Sequence, residues 1–325
     1  MAQTLQEHFR CVRVDEGQLT GHLQVFGLRW NCPADLAYMT LDEALAQKTL
    51  EVTEINQQGA VPLLQVSNKA DSPVFFLAGE QLVGAKQNRV LNASILVPAR
   101  SELPIPVSCV EAGRWSYRSP KFVSPGTMAY AQLRKMQARA VADNYRGGSP
   151  MPTANQQEVC AELDRKLKAL GSCSPTNAMQ EAYANHENTL LFYSQRFSAP
   201  RGCHGAVFGV RGQIAAADLF DKPGTLTKLW PKLVRSFALD ALETSAKPGE
   251  RLSADTVQSW LRQVVGAHEQ SFKPPGLGYD VRLESRHLLG AGLVVGDQPV
   301  HVELFPREGR PERAPSWWRR WIPLR

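Results

Sequence analysis

The sequence predicts an α+β fold, and three observations predict it. Short β-branched and aromatic segments bounded by turn residues fill positions 1–118. Between about 124 and 196 the apolar period becomes that of a helix. After about 205 strand patterns return, so the order is β, then α, then mixed, rather than an alternation of β and α units. The expected architecture is a β-rich body formed by the N-terminal and C-terminal segments, with a helical middle region packed on it.

Taken in order, the first region offers strands at HLQVFGLRW, LEVTEI, VPLLQV, PVFFLA, RVLNASILVP and PIPVSCV. One helix interrupts them, because Thr40 and Glu43 in TLDEALAQ make a capping box ahead of the strand from Leu50. Pro62, Pro73, Pro98, Pro104 and Pro106 are read as strand-end or edge residues, since proline cannot donate to a ladder. The middle region offers helices at MAYAQLRKMQARAVADNY, QQEVCAELDRKLKAL and NAMQEAYANHENTLLFYSQRF. Asn155 with Glu158 opens the second, Gly171 closes it, and Ser174 with Pro175 opens the third. RGGSPMPTAN between the first two reads as an exposed linker. The last region offers strands at AVFGVRG and QIAAADLF, helices near 228–245 and 254–269, and strands at YDVRLES, LLGAGLVV and PVHVELF. The expected organisation is one α+β domain over 1–305, β-rich over 1–118, helical over 119–198 and mixed over 199–305, followed by a basic tail at 306–325. A separate helical domain is the alternative.

With 325 residues, 43% of them hydrophobic and 21% charged, the chain can bury a core unaided, which excludes disorder and fibrous classes. It carries 37 basic and 31 acidic side chains, and no stripe of charge suits a dedicated nucleic-acid surface. No apolar run is long enough for a transmembrane segment, and no secretory pattern opens the chain, so a cytoplasmic location is expected. The cysteines at 11, 32, 109, 160, 173 and 203 are widely spaced and read as reduced thiols.

Several motifs fail on inspection. GEQLVGAKQ at 79–87 places Lys86 one position too late for a phosphate loop and leads into a strand, not a helix. His186-Glu187 and His268-Glu269 lack the second histidine of a zinc protease. Cys203-His204 with Cys160, Cys173 or His186 matches no metal spacing, so no metal site is expected; any cofactor is left open.

What remains is a dense polar stretch, Glu80 with Lys86, Gln87, Asn88 and Arg89, followed by Cys109, Glu111, Arg114 and Trp115. A turn at Gly79 or Gly84 would bring the first set to the mouth of a hairpin. There Lys86, Arg89 and Arg114 would hold an anion, Gln87 and Asn88 would satisfy it or the turn, and Trp115 would stack on a ring. Glu80 or Glu111 would be base or hydroxyl acceptor, and Cys109 beside an arginine a nucleophile. The competing reading makes the charges internal salt bridges and Cys109 a small buried hydrophobe. In the tail, Trp317, Trp318, Arg319, Arg320 and Trp321 suit partner docking.

FFLAGEQLVGAKQNRVLNASILVPA and IPVSCVEAGRW, with TLDEALAQKTLEVTEI, GAVFGVRGQ and LWPKLVRSFALDAL, resemble the family named for its association with ADP-ribosylglycohydrolases and the rhodanese and phosphatase superfamily. The resemblance covers most of 36–245. It implies a link to NAD-derived or ADP-ribose metabolism by association, and makes Glu80, Lys86–Arg89, Cys109, Glu111, Arg114 and Trp115 the leading functional positions. Two functions follow as expectations: binding or processing of a small anionic metabolite of the ADP-ribose type, or a non-catalytic scaffold that presents its tail to a protein partner.

Overall fold

Strands from the two ends of the chain meet in one antiparallel eight-stranded sheet in the computed structural model, which describes residues 5–31, 34–243 and 251–307. Arg13–Thr20 and Leu23–Arg29 form one flank and join Gly205–Val210, Gln213–Phe220, Gln298–Pro306, Leu288–Val295, Tyr279–Glu284 and His268–Phe272, in that order. The two ends therefore share one body, as expected for this α+β class. The expected tail contacts, Trp317, Trp318, Arg319, Arg320 and Trp321, lie outside the described residues.

Alternation along each strand sends side chains to both faces, and here both faces are covered. Val207, Leu219, Val302 and Leu304 pack with Leu5 and Phe9 of the short helix Leu5–Phe9 and with Val257 and Trp260 of Ala254–Leu261. Phe208, Ala216, Phe220 and Phe305 pack on the opposite face with Leu133 and Ala138 of Ala131–Arg146 and with Leu233 and Phe237 of Pro223–Ala241. Among the described residues no helix is long and apolar enough to cross a membrane.

Three helices depart from the sequence expectation for local reasons. The helix expected near 228 begins earlier, at Pro223, whose fixed φ and missing N–H suit the first helical position. The helix expected over 254–269 stops at Leu261 and passes through a 3₁₀ turn, because His268–Phe272 is drawn into the sheet beside Tyr279–Glu284. The third middle helix opens at Met179 and not at Ser174-Pro175, where Ser174 Oγ accepts the Ala178 N–H in the turn ahead of it, and it breaks at His186 (φ −115°, ψ 15°) into Met179–Asn185 and Glu187–Arg196.

The remaining strands build two smaller sheets, and these carry the polar constellation. Val74–Phe76 pairs with Ile95–Val97 and, in parallel, with Met39–Thr40. Inside that outer pair lies a second hairpin, Gln81–Gly84 against Arg89–Leu91, which belongs to the six-stranded sheet instead. That sheet continues through Ser101–Cys109 to Leu63–Asn68 and Leu50–Glu54. Pro104 and Pro106 sit within Ser101–Cys109, not at its ends. Over 101–106 this strand pairs with Leu63–Asn68 alone and meets Arg89–Leu91 only from Val107 onward, so its proline half has an open side.

Candidate functional site

The site grows from the turn of the inner hairpin, Ala85–Asn88. Gly84 enters it at φ +127°, and a Cβ there would lie 2.6 Å from Ser119 Oγ and 2.7 Å from the Lys121 carbonyl oxygen. Glycine is required on both counts. Its neighbour Ala85 also has positive φ, at 36°. Such a turn must be held from outside, and Arg114 holds it. The Arg114 guanidinium donates to the carbonyl oxygens of Gly84 (3.2 Å), Ala85 (2.6 Å) and Ser116 (2.7 Å) and to Asn88 Oδ1 (3.3 Å).

Glu111 anchors that arginine. Arg114 Nε donates to Glu111 Oε1 at 2.9 Å and Nη2 to Oε2 at 2.6 Å, a two-point pair with side chains only 6% and 0% exposed. Glu111 Oε2 also accepts from the Asn88 backbone N–H (3.1 Å), and Oε1 from Thr176 Oγ1 (3.0 Å). Burial alone would raise the Glu111 carboxyl, but the bonds from Arg114, Asn88 and Thr176 hold it below the ordinary glutamate value. Glu111 and Arg114 thus satisfy one another and shape the turn.

The helical middle region closes over this pair. Gly113 donates its N–H to the Thr176 carbonyl oxygen at 2.8 Å, and a Cβ on Gly113 would meet Thr176 Cα at 2.8 Å. Met179 N–H donates to Val110 O at 2.9 Å. The close approach leaves a cavity of about 290 Å³ between the hairpin and the start of Met179–Asn185. Val83, Val123, Pro125 and Ala178 supply apolar wall, and Asn88, Arg118, Gln180 and Glu181 supply polar groups.

Those polar groups are mostly donors. Asn88 is 3% exposed, its Oδ1 is occupied by the Gly84 N–H and by Arg114, and its Nδ2 has no hydrogen-bond partner among the described residues. Gln180 is held more loosely: its Oε1 lies 3.2 Å from Thr127 Oγ1, whose one proton goes more closely to Gln81 Oε1 at 2.7 Å, and its Nε2 has no hydrogen-bond partner among the described residues. Arg118 lies at the rim with its side chain 61% exposed, 3.9 Å from Glu111 Oε1. A 290 Å³ cavity with amide groups, the Arg118 guanidinium and the Glu181 carboxylate can take a small polar ligand that offers acceptor oxygens to the first two and a hydroxyl to the last.

Lys86, Gln87, Arg89 and Trp115 gather on a separate side of the turn, and Cys109 joins them. Lys86 Nζ donates to Gln58 O at 2.7 Å and stands 5.2 Å from the Trp115 ring centroid and 5.1 Å from that of Tyr117. Arg89, fully buried, donates to Gln87 Oε1 (3.0 Å) and lies 5.7 Å from the Trp115 ring; its Nε and Nη2 have no hydrogen-bond partner among the described residues. Burial lowers the Arg89 pKa, against the pull of Cys109, Glu54 and Glu111. Burial pushes the Cys109 thiol up, although the Glu111 N–H at 3.4 Å and the charge of Arg89 act the other way. Glu54 accepts from the Lys86 N–H at 3.1 Å, with its other oxygen buried and without a hydrogen-bond partner among the described residues.

Glu80 stands apart from both groups. Its Oε1 accepts from Lys232 at 2.6 Å and its Oε2 from the Leu77 N–H at 2.8 Å, all beneath the outer hairpin. Burial alone would depress the Lys232 ammonium, but Glu80 and Asp42 hold it above its ordinary value.

The structure therefore distributes the nine expected residues over three environments. Asn88 lines the cavity, with Glu111 and Arg114 behind it holding the turn; Lys86, Gln87, Arg89, Cys109 and Trp115 pack around the turn's other side; Glu80 pairs with Lys232. Sequence reasoning missed Arg118 and Tyr117, although both follow Trp115 directly in SCVEAGRWSYRS, where a basic and aromatic continuation was legible. Glu54 ends a strand and Gln180 opens a helix in a region distant along the chain, and neither carries a local signal.

The sequence model of the ARG and Rhodanese-Phosphatase-superfamily-associated Protein domain matches residues 11–305. No curated protein and no solved structure matches the chain.

Proposed function

We propose that this chain, which belongs to the ARG and Rhodanese-Phosphatase-superfamily-associated Protein domain family, binds a small anionic metabolite in the cavity between the inner hairpin and Met179–Asn185. One observation carries the reading: Asn88 is almost wholly buried, its oxygen is spent on the turn, and its amide N–H₂ is left for whatever occupies the cavity. Gln180 Nε2 supplies a second donor and Arg118 the charge at the entrance. Val83, Val123 and Pro125 offer apolar contact to a sugar or ring.

In this reading Glu111 and Arg114 are positioning residues: their pair fixes Gly84, Ala85 and Asn88 so that the donors need no rearrangement on binding. The association in the family's description favours an ADP-ribose-type ligand, a ribose phosphate being the part that the cavity's size and donors suit. Lys86, Arg89 and Trp115 border the same turn and would respond to its movement.

Differential scanning fluorimetry with ADP-ribose, NAD, ribose 5-phosphate and inorganic phosphate tests the proposal. A ligand at about a hundred times its Kd stabilises the folded state by about 2.7 kcal/mol and raises Tm accordingly. Arg118→Ala and Gln180→Ala, both surface-facing changes, should each cut the shift strongly while leaving the Tm of the free protein nearly unchanged. A panel in which no compound moves Tm, or a shift that survives both substitutions, overturns the reading.

A further inference from the structure

Glu181 brings a negative charge to a cavity whose other polar groups are mostly donors. It stands in the first turn of Met179–Asn185, half-buried, and lines the cavity beside Gln180. Among the described residues its carboxylate has no hydrogen-bond or ion-pair partner. Arg118, the cation lining the same cavity, approaches Glu111 Oε1 at 3.9 Å instead, and Glu111 is itself engaged by Arg114, Asn88 and Thr176. One positive and one negative group therefore line the space without cancelling each other.

The neighbouring acceptors are largely spent. Asn88 Oδ1 accepts from the Gly84 N–H and from Arg114, and the Gly84 carbonyl oxygen also accepts from Arg114. Ser119 Oγ accepts the Ala85 N–H at 3.1 Å and donates to the Lys121 carbonyl oxygen at 2.7 Å. Glu181 is thus the strong acceptor of the cavity, set among the amide donors of Asn88 and Gln180 and the Arg118 guanidinium. An ammonium group could pair with Glu181, but it carries protons only, so it would leave those amide donors unmatched and would face the Arg118 charge. A hydroxyl gives its proton to the carboxylate and keeps lone pairs for the amides. Two vicinal hydroxyls match the two oxygens of one carboxylate, and carboxylates hold ribose in this manner in dinucleotide sites. At about 290 Å³ the cavity lies at the small end of ligand pockets, which run from about 300 to 1,000 Å³, and that suits one sugar phosphate.

We infer that Glu181 is the specificity-determining residue of this cavity: it accepts the 2- and 3-hydroxyls of a pentose phosphate whose phosphate lies toward Arg118, so that the site distinguishes ribose from 2-deoxyribose. The inference rests on the anion-binding reading and adds to it the sugar end of the ligand and the residue that recognises it. A sugar without the 2-hydroxyl takes Glu181 out of water and leaves one of its oxygens unpaired, which is how a polar site rejects an analogue that lacks one group.

Isothermal titration calorimetry of the full chain with ribose 5-phosphate, 2-deoxyribose 5-phosphate, phosphoethanolamine, inorganic phosphate and ADP-ribose tests it. Ribose 5-phosphate should bind about tenfold or more tightly than its 2-deoxy analogue, and phosphoethanolamine more weakly than ribose 5-phosphate. Glu181→Ala should bring the two sugar phosphates within about twofold of each other while binding of inorganic phosphate persists or strengthens, because a negative charge has been removed. Arg118→Ala should weaken both sugar phosphates alike. Equal affinities for the two sugars in the wild-type chain, tighter binding of phosphoethanolamine than of ribose 5-phosphate, or a ribose preference that survives Glu181→Ala overturns the role of Glu181. If inorganic phosphate or ADP-ribose still binds in those cases, the anion-binding reading stands without it; if none of the five compounds binds, both fall. The wild-type comparison decides whether or not either variant folds.

Discussion

Arg114 shows how a guanidinium can be spent wholly within the fold. Its donors are consumed by Glu111 and by the backbone of the Ala85–Asn88 turn, so replacing it leaves a buried carboxylate and several carbonyl groups unpaired. Arg114→Met is expected to destabilise the fold by about 3–5 kcal/mol in urea denaturation, and Arg114→Lys by nearly as much, because an ammonium cannot span the same acceptors. Glu111 adds a pH signature. Its native pKa lies below the ordinary 4.5, so its contribution is complete above that value and is lost as pH falls through the lower native one. The urea midpoint should therefore drop on acidification below about pH 4.5, and Glu111→Gln, weaker at neutral pH, should show a shallower drop over the same range. A variant whose pH profile parallels wild type would remove Glu111 from the account.

Elements formed by local chemistry were the ones legible from residues alone. The capping box is an instance: Glu43 N–H donates to Thr40 Oγ1 at 3.4 Å, the Thr40 N–H donates to Glu43 Oε2 at 2.9 Å, and the helix Leu41–Ala46 starts where both are satisfied. Thr40→Ala should cost about 1 kcal/mol by urea denaturation, with Thr40→Ser retaining most of it; equal losses for the two would locate the effect in the buried methyl instead. Likewise Asn155 Oδ1 accepts from the N–H groups of Gln157 and Glu158 and opens Gln156–Ala169. Where a distant partner decided, local pattern was overridden. His268–Phe272 leaves its helical pattern for a ladder with Tyr279–Glu284, and Pro104 is tolerated inside a strand whose proline half has one neighbour.

At the level of the molecule, the large sheet makes the first thirty residues indispensable to strands near the other end. Leu23–Arg29 pairs with Gly205–Val210, and Leu28 and Phe26 are buried against Val207 and Leu219. Deleting residues 1–30 would uncover that apolar ladder edge and face, and the shortened chain is expected to lose its cooperative thermal transition and to aggregate on expression. A soluble truncated chain with an unchanged transition would separate the ends that the sheet order joins.

What the sequence determined by itself was the α+β class, the joining of its two ends in one body, the capped starts of Leu41–Ala46 and Gln156–Ala169, and the polar stretches around 80–89 and 109–115, since each rests on periodicity, caps or composition read over neighbouring residues. Which charges face a ligand and which face each other was decided by the tertiary structure. Glu80 meets Lys232 and Ser94 meets His301 across separations of 152 and 207 positions. Whether a polar atom is spent or spare depends on partners of that kind, and no spacing along the chain encodes them.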